Sequence, residues 1–459
     1  MTKEDFRSDY DFIIVGAGTA GCLVARQLSS VPSLRVLLIE AGGGLEHREA
    51  IKRPAEYLSL QGSDIDWHYS TETSSDLSGR RMICPRGRVL GGCSAMNAMI
   101  FHEGVPDDYR SWRESGGDPW SVTAMESSRK ELLNGVRSML SIERPSHVSA
   151  ACEAFMQATP IACREHQIAG APEVYLRTTK GGERQTAWEA FLGNAKRRNV
   201  SVATNAVVEK IEFSRRCASH VRLRHRGTSQ TVMARRAIVL SGGSIASPQL
   251  LMLSGIGKRE DLMFHGIDCR LELPAVGSKL RDHLAFPVIF EIPERYRFPT
   301  RWSMRDLVRW SHLQQGPIGS NLAEVGGFFD LPEFGRRSIQ LHVTPTHYLR
   351  HPAADAPAAM TLAVTQTQPN SSGSVSLRSN RIDDPPLIDP RYLGDHEDVR
   401  TLSAGIEWAR KIAATEPLAS FVGSELLPGS KRHTDSHLER AIRRFAMTAL
   451  SSRRHLLAR

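Results

Sequence analysis

The stretch DFIIVGAGTAGCLVARQL, beginning at Asp11, limits the possible folds more than any other part of the chain. A wholly apolar run leads into Gly16, Gly18 and Gly21 in the spacing G-x-G-x-x-G, followed by apolar residues at helical spacing. A second apolar run, RVLLIEAGG, starts at Arg35. Together they predict a strand, a tight turn, a helix and a parallel strand, with the sheet covered on both faces. In such a turn Gly16 permits the reversal, Gly18 lets backbone approach a pyrophosphate, and Gly21 allows close helix packing, while the helix-terminal amides hold negative charge. Glu40, at the end of the second strand, is placed to accept hydrogen bonds from a ribose diol. The expected ligand is a dinucleotide, and the fingerprint alone leaves NAD and FAD equally open.

A further strand, small-residue turn and helix are read in RRAIVLSGGSIASPQLLMLSGIG, closed by Gly255, with alternating strands before it in NVSVATNAVVEKIEF. Past about Phe286 the texture changes to short β-like runs: PVIFEI, AEVGGFFDL, SIQLHVTP, MTLAVTQTQ and GSVSLRS. Turn residues separate them, which predicts an antiparallel sheet. Two amphipathic helices follow, in HEDVRTLSAGIEWARKIAAT and SHLERAIRRFA. The fold expected is therefore α/β plus α+β: a Rossmann-like dinucleotide domain over 9–290 and an antiparallel-sheet substrate domain over 291–459.

Charge and cysteine usage narrow the function classes. The net charge is +9 in 459 residues, but the basic residues are scattered, and no run is long enough to form a nucleic-acid arm. Seven cysteines with no C-x-x-C pair frame neither a disulfide scaffold nor a zinc site, which suits a reducing cytoplasm. Cys22 and Cys93 read as small buried hydrophobes. The N-terminus MTKEDFRSDYDF is polar and acidic, unlike a signal peptide. No apolar stretch approaches the roughly 18 residues of a membrane span. Peripheral membrane contact stays open.

The segment CPRGRVLGGCSAMNAMIFHEG, from Cys84 to Gly104, carries too many small residues for an ordinary helix or strand and suits main chain lying flat on a rigid planar ligand. It resembles the first signature of the glucose-methanol-choline (GMC) oxidoreductases, a family of FAD-dependent alcohol-oxidising enzymes. SGGSIASPQLLMLSGIG, from Ser241, resembles the second, and LPAVGSKLRDHL a later block, although Lys279 stands where Asn is usual. The resemblance implies that Gly16, Gly18, Thr19, Ala20, Gly21, Glu40 and Ala41 hold the FAD diphosphate and ribose, together with Ser241 and Gly242. Gly91, Gly92, Asn97, Ala98, Met99 and Ile100 would line the isoalloxazine, with Trp67, Arg86 and Val89 near the cofactor. Val208 would meet the adenine. Some members attach FAD through a His just before the Asn; Met96 stands there, which implies noncovalent FAD. His283 reads as a packed structural histidine.

The resemblance further implies a small-molecule alcohol as substrate, losing its hydroxyl proton to a base and its carbinol hydride to flavin N5. The electron acceptor is open among oxygen, a quinone and a dye. In the family the base is a His in a C-terminal Tyr-His-Pro-x-Gly-Thr-Cys block. Here AIRRFAMTA leads up to that block and LSSRRHLLAR follows. With codons CTA TCA TCC CGT CGG CAC CTG for Leu450 to Leu456, removing the first base and borrowing the C that opens the Leu457 codon restores Tyr-His-Pro-Val-Gly-Thr-Cys. The expectation is thus a frameshift at about Leu450, a truncated family C-terminus and impaired turnover, with the catalytic residues unassigned. A noncatalytic remnant and a cyanohydrin-cleaving member are the alternatives.

Overall fold

The computed structural model describes residues 7–45, 48–136, 138–193, 198–430 and 434–449. In chain order, the elements that position the site begin with β1 (Asp9–Val15), α1 (Thr19–Leu28), β2 (Val36–Ile39), α2 (Ala150–His166) and β3 (Ala169–Val174). Next come β4 (Val200–Ala203), β5 (Ala206–Ser214), β6 (Cys217–His225), β7 (Thr228–Leu240) and α3 (Gly243–Leu253). The remainder are β8 (Leu284–Glu291), β9 (Val325–Leu331), β10 (Gly335–Thr344), β11 (Ala359–Gln366), α4 (His396–Ala413), β12 (Glu425–Leu427), α5 (Asp435–Phe445) and β13 (Met447–Thr448).

The first sheet has the order β4-β2-β1-β7-β6-β5. Strands β4, β2, β1 and β7 run parallel, and β7 continues into an antiparallel meander with β6 and β5. Alternation along β1 explains why both faces must be covered. Ile14 joins Ala17, Cys22 and Ala25 under α1, while Ile13 turns to the other face with Leu37, Val221 and Leu250 of α3. Both faces being apolar, the strand reads as one continuous run.

The second sheet has the order β12-β8-β11-β10-β9-β3, with β13 also paired to β8, and every pairing is antiparallel. It draws strands from both sides of residue 290, since β3 and the start of β8 precede it. One face packs on α2 and α4, where Trp408, Phe155 and Phe329 are buried in the largest apolar cluster. Helix α4 starts where Asp395 accepts from Glu397 N at 2.8 Å, has Glu397 and Asp398 in its first turn, and ends with Arg410 and Lys411. Charges of opposite sign therefore meet the two ends of its dipole.

The runs PVIFE, VGGFFDL, SIQLHVT and AMTLAVTQ all lie in this sheet, as expected. The run GSVS does not. Gly373–Ser376 instead pairs with Ser278–Leu280 and Leu387–Asp389 in a separate three-stranded sheet. Alternation sets a strand's faces but not its partner. Among the described residues no helix is long and apolar enough to cross a membrane.

Arg80 ties an early segment to the last described helix. Its Nη2 donates to the carbonyls of Arg443 and Ala446, both at 2.9 Å, satisfying the end of α5 and setting the path into β13. Ala449 N then donates to His283 O at 2.9 Å. The expected frameshift at Leu450 lies outside the described residues.

Candidate functional site

Strand β1 turns directly beneath α1 because nothing but glycine fits. Gly16 has φ +100°, and a Cβ there would stand 2.6 Å from Ser241 O; one on Gly21 would stand 1.9 Å from Gly16 O. The turn therefore packs against the start of α3. Gly18 caps α1 and Gly242 caps α3, in both cases without a side-chain hydrogen bond to the first turn. Two helix starts thus offer amides to one space, an arrangement that favours a phosphate-bearing ligand.

That space is a cleft of about 300 Å³. Of the residues expected at a cofactor, Gly16, Gly18, Thr19, Ala20, Glu40, Ala41, Trp67, Arg86, Gly92, Val208, Ser241 and Gly242 line it. Trp67 stacks on Tyr69 with centroids 5.6 Å apart, and the guanidinium of Arg88 lies over its ring at 5.1 Å. The small-residue segment forms one wall. Leu90 N donates to Gly43 O at 3.1 Å and Gly91 N to Ala17 O at 2.9 Å, so main chain crosses over the glycine turn. A Cβ on Gly92 would stand 2.7 Å from Gly18 Cα, so the crossing tolerates no side chain there.

Glu40 is held by Ala17 N and Gly42 N, each 2.9 Å from one carboxylate oxygen. Those bonds favour the ionised form, but burial outweighs them and raises its pKa from 4.5 to about 7. The folded state then keeps a proton that the unfolded chain releases. Its stabilising contribution in the ligand-free protein is complete below about 4.5 and is lost as pH rises through about 7. Thermal denaturation of the ligand-free protein should show Tm falling across that window. Glu40→Gln should flatten the fall, and an unchanged slope would refute the assignment.

A second cavity, of about 70 Å³, adjoins the cleft at Cys93, which lines both. Its other lining residues are Tyr57, Gln61, Pro85, Met96, Asn97, Ala98, Tyr348 and Ala449. Among the described residues it is lined by no carboxylate, histidine or cationic side chain. Asn97 Oδ1 accepts from Met99 N and from Arg184 Nη1, both at 3.0 Å.

Other expected positions face protein. Gly21, Val89, Gly91, Met99 and Ile100 line neither cavity. Val89 packs with Ile51, Leu60 and Ile65; Met99 O accepts from Thr178 N at 2.9 Å; Ile100 pairs with Arg177. Two expectations are corrected. Cys93 is exposed at the junction of the cavities, whereas Cys22 is buried as expected and its thiol is pushed up to about 12 by burial. His283 is exposed, because it stands just before β8 enters the core. Sequence reasoning missed Tyr57, Gln61, Tyr348 and Arg184. No spacing linked them to Asn97; the fold brings them there from distant segments.

A GMC oxidoreductase N-terminal family model matches residues 10–285, and a GMC oxidoreductase C-terminal model matches residues 369–458. The chain belongs to the GMC oxidoreductases. An alcohol dehydrogenase [acceptor] of Pseudomonas putida is 34% identical over 466 residues, covering 96% of this chain and 84% of the relative. The mitochondrial choline dehydrogenase of Homo sapiens is 32% identical over 483 residues, covering 96% and 80%. Among solved structures, pyridoxine 4-oxidase from Mesorbium loti has 28% identity and a TM-score of 0.82, covering 96% of this chain and 87% of that one. Formate oxidase of Aspergillus oryzae, at 23% identity and a TM-score of 0.86, shares the fold. As a GMC oxidoreductase the chain is an FAD-dependent enzyme. The paired helix starts without side-chain caps, Glu40 and the side-chain-free crossing at Gly92 fit that cofactor. The C-terminal match, running to residue 458, lends no support to a truncated terminus.

Proposed function

We propose that this GMC oxidoreductase oxidises the CH–OH group of a small uncharged alcohol, using noncovalent FAD. The observation that carries the reading is the pair of cavities meeting at Cys93, a long cleft suited to a dinucleotide and a small uncharged chamber beside Asn97. FAD, when bound, supplies the acceptor for the carbinol hydride. The amides opening α1 and α3 hold the diphosphate, and the carboxyl of Glu40 holds the ribose. Met96, in place of a family His, offers a thioether that forms no flavin bond. Among the described residues the chamber wall gives no counter-charge to a quaternary ammonium, which argues against choline, and Pro85, Met96 and Ala98 give it an apolar side that excludes water from the reacting carbon. Asn97 orients the alcohol oxygen by hydrogen bonding.

The hydroxyl proton needs a base within hydrogen-bond reach. The described chamber wall contains no histidine or carboxylate, and Ala449 at its rim immediately precedes the position where the family block would place one. Turnover is accordingly expected to be slow. The test is anaerobic. Protein purified with FAD should be yellow, denaturation should release all the flavin, and small primary alcohols should bleach it more readily than choline. Protein that stays colourless in excess FAD refutes the reading, and flavin that no alcohol bleaches, even after hours, refutes the substrate class.

A further inference from the structure

Behind Asn97 lies a cation that the proposed chemistry does not use. Arg184 ends a short hairpin in which Thr179–Lys180 pairs with Glu183–Arg184. Its Nε donates to Ile51 O at 2.9 Å, and its Nη1 donates to Ser94 O and to Asn97 Oδ1, both at 3.0 Å. All three acceptors are neutral. Nη2 is buried without a hydrogen-bond partner among the described residues, and burial lowers the pKa of the group to about 9. Keeping a guanidinium in this setting is expensive unless its geometry serves something.

The consequence falls on the amide of Asn97. Arg184 Nη1 and Met99 N are both donors with no lone pair to offer, so the Asn97 atom facing them must be the oxygen. Those two bonds occupy its accepting capacity. The Nδ2 group makes no hydrogen bond to the described residues, and it is what Asn97 can present to the chamber it lines. A flipped amide would set the Nδ2 donors against the Arg184 and Met99 donors and turn the amide oxygen to the chamber, where negative charge develops.

We propose that Arg184 is a positioning residue that locks Asn97 with its oxygen turned inward, so that residue 97 offers only N–H donors to the flavin edge and the alcohol oxygen. The proposal rests on the FAD reading above. A fixed donor at this place stabilises an electron-rich ring or an alkoxide without reorganising during the reaction. The guanidinium fork is suited to the task because it reaches Ile51, Ser94 and Asn97 at once, which an ammonium point charge does not do in the same rigid plane.

The experiment compares wild type, Arg184→Lys, Asn97→Ala and the double variant, each loaded with FAD, by flavin content, midpoint potential and affinity for sulfite, which adds to oxidised flavin. Lysine keeps the charge and removes the fork. Arg184→Lys is expected to lower the midpoint potential and weaken sulfite binding by up to about tenfold, the scale of one hydrogen bond. In the Asn97→Ala background the same change should have less than about a twofold effect, because the partner it acts through is gone. An equal effect in both backgrounds, or no effect in either, overturns the proposal. A wild type that takes up no FAD overturns it together with the FAD reading.

Should Arg184→Lys fail to fold, Asn97→Asp decides. The aspartate keeps an oxygen toward Arg184 and Met99, gives the buried cation a counter-ion and loses the donor. Its Tm should equal or exceed that of wild type while sulfite affinity falls. A Tm below that of Asn97→Ala overturns the contact between Arg184 and residue 97.

Discussion

Replacing the seven residues after Ala449 with the family block is expected to accelerate alcohol-driven flavin reduction by at least about 10²-fold, the lower end of what a positioned general base contributes. The variant carries Leu450→Tyr, Ser451→His, Ser452→Pro, Arg453→Val, Arg454→Gly, His455→Thr and Leu456→Cys. Ala449 lines the chamber, and its amide is held by His283 O at 2.9 Å, so the inserted histidine follows a fixed point by two residues. Arg80 holds the backbone leading there through Ala446 O. Stopped-flow reduction under anaerobic conditions gives the rate. The matched control keeps six of the changes and places alanine at 451. If both variants reduce at the same rate with equal flavin content, a histidine at that position is not the base.

The second large effect concerns two glycines three residues apart. A Cβ on Gly21 would stand 1.9 Å from the carbonyl oxygen of Gly16, a backbone atom that can yield only if β1 and α1 separate. Gly21→Ala is therefore expected to destabilise the protein by about 3 kcal/mol, at the upper end for overpacking, and to reduce bound FAD below about a tenth of wild type. A Cβ on Gly18 meets nothing within 4 Å, and its φ of −74° suits any residue. Gly18→Ala should leave the ligand-free Tm nearly unchanged while weakening FAD, because the added methyl projects into the cleft that Gly18 lines. Flavin titration beside thermal denaturation of the ligand-free proteins separates the two. Equal behaviour of the variants would mean that Gly18 does not border the cofactor.

What the sequence revealed divides along a physical line. Local patterns were legible: the glycine turn, the continuous apolar strands β1 and β2, and the amphipathic stripes of α4 and α5 each encode their own geometry. Helix α2 was not, because Pro160 stands inside its 17 residues and reads as a breaker. Its N-cap, Ser149 accepting from Cys152 N, lay in the same unread stretch. The partner of Gly373–Ser376 was likewise hidden, since strand pairing depends on the rest of the fold. Site residues split in the same way. The wall from Arg86 to Asn97 could be read from its small residues, whereas Arg184 looks like any other arginine until the hairpin carries it behind Asn97.

The second sheet has a bearing on how the polypeptide reaches its final form as it leaves the ribosome. The first sheet has all its strands once Leu240 has emerged, and α3 can cover it soon afterwards. By then α2 and β3 have also been made, yet among the described residues β3 pairs only with β9, and the cluster around Phe155 awaits Trp408. A nascent chain therefore carries a helix with its apolar face unsheltered and a lone strand while more than half of the second sheet is still to be synthesised. Holding that intermediate soluble is the step at which a chaperone has most to offer.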